Sequence, residues 1–97
     1  MVALQKKQDE LSQITSVLRQ IFLQGLGGRI QKMESALQSE DWVEVGELAH
    51  QLKGTAGCFG VLKLQIYAAN IEAAASRADS SSCRDILTEI RFSFMKS

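Results

Sequence analysis

Not one proline occurs among the 97 residues of this chain. Every residue therefore keeps the backbone N–H that a helix ladder needs, and no pyrrolidine ring forces that ladder to break. The β-branched residues are scattered among Leu, Ala, Gln and Glu, so local propensity favours helix nearly throughout and the predicted fold is all-α. From the N-terminal side, Leu11, Ile14, Leu18, Ile21, Phe22, Leu26, Ile30, Met33 and Leu37 recur mostly three or four residues apart, which marks one face of helix. The stripe passes through Gly25, Gly27 and Gly28, each of which costs about 1 kcal/mol relative to alanine in a helix interior. The run is either two helices or one bent at the glycines.

Ser39 or Asp41 can cap the next helix, and Glu44 stands at capping-box spacing from Asp41. Apolar periodicity then runs to Phe59, with Gly60 as a natural stop. A third stripe comprises Leu64, Ala68, Ile71 and Ala75 before the polar residues 78–82, and a fourth comprises Ile86, Leu87, Ile90 and Phe94. Short links between amphipathic helices place neighbours antiparallel. The expected architecture is an antiparallel up-and-down four-helix bundle with an extra N-terminal helical segment. With 97 residues there is room for one modest core, so residues 1–97 are expected to form a single domain.

Composition removes several classes of function. Eleven Lys and Arg balance eleven Asp and Glu, leaving no net positive field to hold nucleic acid or an anionic membrane. A protein partner is the better expectation. Cys58 and Cys83 are not closely spaced and only one histidine is present, which argues against a disulfide framework and against a metal site. No apolar run is long enough for a membrane span or signal peptide, so a cytoplasmic location is expected. Nothing resembles a phosphate-binding glycine loop or a nucleotide-binding unit, so no cofactor is expected and any ATP must be bound by another protein. The domain is expected to act as a monomer.

Winding residues 41–59 as a helix gathers Val45, Leu48, Leu52, Thr55, Ala56 and Phe59 on one side as the core face. His50 falls on the opposite side with Val43, Gly46, Glu47, Lys53, Gly54 and Gly57. A lone helical histidine is most often without a task. Here Gly54 and Gly57 lie one and two turns beyond it, although interior glycine destabilises a helix by roughly 0.5–1 kcal/mol. Bare backbone beside an outward imidazole would let another protein press a cleft over it; alternatively the glycines allow close packing within the bundle. Lys53, three residues on, puts an ammonium beside the imidazole or is an ordinary solvated charge. An outward nucleophile, an adjacent cation and a flat approach surface suit phosphoryl transfer, which asks a protein mainly for positioning and charge stabilisation.

Residues 49–60, AHQLKGTAGCFG, closely resemble the signature of the histidine-containing phosphotransfer (HPt) domain family of bacterial two-component phosphorelays, roughly AHxLKGxAxxxG. Ala49, His50, Leu52, Lys53, Gly54, Ala56 and Gly60 all match. The resemblance covers roughly residues 18–96: FLQGLGGRIQKMESALQSEDW is similar to the family's preceding helix and acidic turn, and Leu64 and Ile71-Glu72 stand where the family often has Leu and Leu-Glu. Gly27 and Gly28 depart from the pattern, occupying positions where many relatives have Pro-Glu, which implies a looser second helix.

The resemblance implies that His50 is phosphorylated, that Lys53 steadies the phosphoryl group, and that Gly54 leaves room for a receiver domain. Gly46, Glu47 and Gly57 complete the expected partner-binding set. The resemblance places the magnesium of the exchange on the receiver. Some relatives, including the phosphotransfer domains of chemotaxis kinases, carry a carboxylate that bonds the far ring nitrogen of the histidine. Glu72 matches that position and is either such an orienting group or a solvated charge. The expected function is a phosphorelay intermediate exchanging phosphoryl with an aspartate of response-regulator or hybrid-kinase receivers, free-standing or part of a larger kinase. Two alternatives are the phospho-accepting domain of a chemotaxis-type kinase and a non-catalytic receiver-binding module.

Overall fold

A computed structural model describes residues 14–95, all of them in helices or the short links between helices. α1 covers residues 14–24, and α2 (Leu26–Gln38), α3 (Trp42–Cys58), α4 (Leu62–Ser76) and α5 (Ser80–Phe94) follow. The junction of α1 and α2 is the single residue Gly25, which keeps right-handed helical dihedrals (φ −84°, ψ −3°). Its N–H is shared between the carbonyls of Ile21 and Phe22, at 3.2 and 3.1 Å. The glycine run therefore yields two helices joined through one residue. Gly27 and Gly28 lie inside α2, not at a break.

Local chemistry sets the other boundaries. Asp41 is the N-cap of α3, its Oδ1 accepting the N–H of Glu44 at 3.2 Å, while Ser39 instead ends α2. Asp79 caps α5 by accepting from the N–H and hydroxyl of Ser82 at 3.1 and 2.7 Å. After α3 the chain turns at Gly60, whose φ of +71° is a left-handed value that side-chain-bearing residues rarely adopt.

The four main helices form a ring of neighbours, α2 against α3, α3 against α4, α4 against α5 and α5 back against α2. The core comprises Leu26, Ile30, Met33, Val45, Leu52, Leu64, Ile71 and Ile90, all essentially without solvent contact, with Ala49, Ala56 and Ala68 letting the helices approach closely. All four residues of the third stripe are buried; in the fourth, Leu87 and Ile90 are buried and Ile86 and Phe94 half-buried. On α3 the core face is rotated from the one expected: Val45, Leu52 and Ala56 are buried, but Ala49 joins them while Leu48, Thr55 and Phe59 are only half-buried. The two flanking helices meet α3 unequally, and its closest seam is with α4.

The first stripe departs from expectation more sharply. It is buried from Phe22 onward, but Ile14, Leu18 and Ile21 are exposed, and Leu11 lies outside the described residues. α1 reaches past the bundle and touches it through one flank. Phe22 stacks on Phe59 with ring centroids 5.3 Å apart, and Arg19 Nε donates to the Phe59 carbonyl at 2.8 Å. At the other side of the bundle, Arg91 Nε donates to Glu34 Oε2 at 2.8 Å, tying α5 to α2. Among the described residues no helix is long and apolar enough to cross a membrane.

Candidate functional site

His50 sits midway along α3 with 68% of its side chain exposed, opposite the buried Val45 and Leu52. Its ring is nevertheless not free to turn. The tight turn at Gly60 reverses the chain so that α3 and α4 run side by side, and this brings Glu72 across from His50 and Lys53. His50 Nδ1 lies 2.8 Å from Glu72 Oε2. Lys53 Nζ donates to the other oxygen, Oε1, at 2.7 Å. One carboxylate thus holds both side chains, and each of its oxygens serves one of them.

Electrostatics fixes the sense of the His50 bond. The hydrogen bond from Lys53 holds the Glu72 carboxyl below its ordinary value; partial burial works against this, and the His50 bond and the charge of Lys53 add to the lowering. Glu72 is therefore ionised at neutral pH and can only accept. Nδ1 must carry the hydrogen of the pair, and in the neutral ring that leaves the lone pair on Nε2. This is how a carboxylate sets the tautomer and direction of histidines that attack or bind metal.

The other site residues divide by the direction they face. Gly54 is open, with no atom within 4 Å of where a Cβ would stand, and Glu47 is exposed. Gly57 is different: a Cβ there would come within 3.0 Å of Gln65 Nε2 on α4. Gly46 has Ala75 Cβ at 4.0 Å from the same construction, an ordinary contact. The winding of α3 suggests that all three glycines share His50's open face, but Gly46 and Gly57 lean toward the α3–α4 seam, and at Gly57 the absence of a side chain makes room for Gln65. Cys58 is exposed and Cys83 buried, both free thiols. Among the described residues no three His, Cys, Asp or Glu side chains converge as metal ligands would.

The Lys53–Glu72 pair is the feature of the site that spacing along the chain does not reveal. Lys53 was visible as a neighbour of His50 on α3 and Glu72 as a possible orienting group on α4. Their mutual bond depends on the register between two helices, which the one-dimensional pattern leaves open. Compatible charges nineteen residues apart were the only signal.

The model of the Hpt domain family matches residues 17–92, most of the chain. The chain belongs to the Hpt domain family. Histidine phosphotransfer in two-component signalling is the work of this family, and its members interact with the receiver domains of response regulators. No curated protein and no solved structure matches the chain significantly. The bundle and the family match agree on an Hpt domain whose sole histidine projects from its third helix.

Proposed function

We propose that this Hpt domain is a phosphorelay intermediate in which Nε2 of His50 accepts phosphoryl from the aspartyl phosphate of a receiver domain and returns it to a receiver aspartate. The observation that carries this reading is the 2.8 Å bond between Nδ1 and Glu72 on a ring that is otherwise exposed. It leaves the Nε2 lone pair directed at solvent. In the forward step that lone pair forms the N–P bond as the acyl-phosphate O–P bond breaks, and the receiver carboxylate leaves with the bonding electrons. The ring becomes cationic, and its Nδ1–H stays on Glu72, whose negative charge stabilises it. Lys53 stands one turn from His50 and offsets the charge of Glu72, which would otherwise repel the incoming phosphoryl. Glu47 and Gly54 form the open part of the receiver-docking surface, Gly46 and Gly57 its flank toward α4.

A phosphorylated receiver incubated with the purified domain is expected to pass label to a single acid-labile, base-stable site, and His50→Gln is expected to take none. Full labelling of His50→Gln would overturn the assignment. The Glu72 bond also favours a second reading, in which an ATP-binding kinase domain is the donor as in chemotaxis-type kinases. Transfer from a phosphorylated receiver at a useful rate separates the first reading from the second.

A further inference from the structure

Of the glycines in α3, Gly57 alone has the side chain of another helix lying closer than ordinary contact to where its own would stand. A Cβ there would meet Nε2, Cδ and Oε1 of Gln65 at 3.0, 3.3 and 3.6 Å, so the whole carboxamide rests on the bare backbone. That amide makes no hydrogen bond among the described residues, and its polar atoms keep access to solvent. A glutamine whose only task is to be solvated has no need of such a seat. It could extend into water and leave room for alanine at 57, which a helix interior prefers to glycine. Gly57 stands seven residues beyond His50, which returns it to nearly the same side of α3, about 10 Å further along. The amide therefore closes the far end of the strip that begins at His50 and crosses the open Gly54.

We propose that the Gln65 carboxamide is a receiver-binding group: as a receiver closes over His50 and Gly54, the amide pairs with a main-chain peptide of the receiver, its N–H donating to a carbonyl and its oxygen accepting from an N–H. The inference rests on the phosphotransfer reading above and adds a residue of α4 to the docking surface. A carboxamide is uncharged and offers a donor beside an acceptor, as a peptide group does. Such a pair fixes the register of the docked receiver without requiring a particular side chain on it. In the free domain water serves the amide; under a docked receiver that water is displaced, and an amide left unpaired there weakens the complex. Two helical turns from His50, Gln65 lies outside the reach of the phosphoryl group. The ring is held by Glu72 and does not depend on it. Gln65 is thus a group for binding and not for the transfer step.

Single-turnover transfer at rising concentrations of a receiver domain charged with acetyl phosphate, chosen from a panel as one that labels the wild type, tests this. Gln65→Met keeps a chain of similar length over Gly57 but has no amide. Its half-saturating receiver concentration is expected to rise about 3–10-fold, the worth of a hydrogen bond or two. Its limiting transfer rate, His50 tautomer and melting temperature are expected to match the wild type. Asn70→Ala, which removes an exposed amide that the winding of α4 turns away from α3, is expected to saturate as the wild type does. Gly57→Ala, whose Cβ must push the amide aside, is expected to raise the half-saturating concentration alone and to add little on top of Gln65→Met. A Gln65→Met variant that saturates like the wild type, or that loses only limiting rate, would overturn the proposal, as would a Gly57→Ala effect that persists in full without the amide. A wild type that no receiver labels would instead overturn the phosphotransfer reading, and this inference with it.

Discussion

At Glu72 a single charge serves two side chains, and removing it separates orientation from stability. Gln at this position keeps an oxygen near Nδ1 but no longer obliges that nitrogen to carry the hydrogen, and it releases Lys53 from a charged partner. Outer-shell partners of functional histidines commonly cost 10-fold or more when lost, roughly a 10–100-fold range, so Glu72→Gln is expected to slow transfer by about that much. The pair is partly exposed, so its loss should change stability by only about 0–1 kcal/mol. The diagnostic readout is the ring tautomer, followed by nitrogen chemical shifts: wild type holds the hydrogen on Nδ1, and the variant should show a mixture. Slower transfer with an unchanged tautomer would mean that Glu72 acts on the phosphoryl environment and not on the ring.

Along α3 the two glycines beyond His50 have different neighbours, and this separates them at the level of the helix. Gly54→Gln adds a side chain where nothing lies within 4 Å, and replacing interior helical glycine is worth about 0.5–1 kcal/mol. Its melting temperature is expected at or above wild type, with a large loss of receiver binding and transfer. Gly57→Gln must displace Gln65, whose Nε2 lies 3.0 Å from the new Cβ position, and is expected to melt below Gly54→Gln. Thermal unfolding and a transfer assay on the same preparations check both; equal melting temperatures would remove the distinction between open face and seam. The pattern of α3 made the outward His50, the Asp41 cap and the Gly60 stop legible, because each depends on residues within a few turns. Helix winding placed Gly57 on the open face because it contains no neighbour. Which side of α3 receives α4, and that Gln65 and Glu72 arrive there, is decided by the packing of four helices together. The same holds for α1: its periodicity declares an apolar face and is silent on whether the bundle supplies a partner for it.

Over the whole molecule the described ion pairs tie helices together, α3 to α4 through Glu72 and α2 to α5 through Glu34, and both make the fold sensitive to acid. Glu34 is held below its ordinary value chiefly by its hydrogen bond to Arg91, Glu72 chiefly by that from Lys53, both from a reference of 4.5. Their unfolded forms bind protons at higher pH than their folded forms, so the stability they contribute is fully present above that reference and is lost as pH falls through the lowered values. A melting curve series is expected to be flat on this account near neutrality and to decline in that acid window, gently because both pairs are partly exposed. The double variant Glu34→Gln/Glu72→Gln should decline less steeply. A double variant as acid-sensitive as the wild type would assign the decline to other carboxylates.

As a carrier, the domain is defined by which atom takes the phosphoryl group. The most direct measurement is nuclear magnetic resonance of the 15N-labelled, receiver-phosphorylated protein, reading the coupling of phosphorus to the ring nitrogens of His50. Phosphorus bonded to Nε2, with the hydrogen retained on Nδ1 toward Glu72, is the predicted result. Phosphorus on Nδ1, or on no nitrogen of His50, would contradict the account.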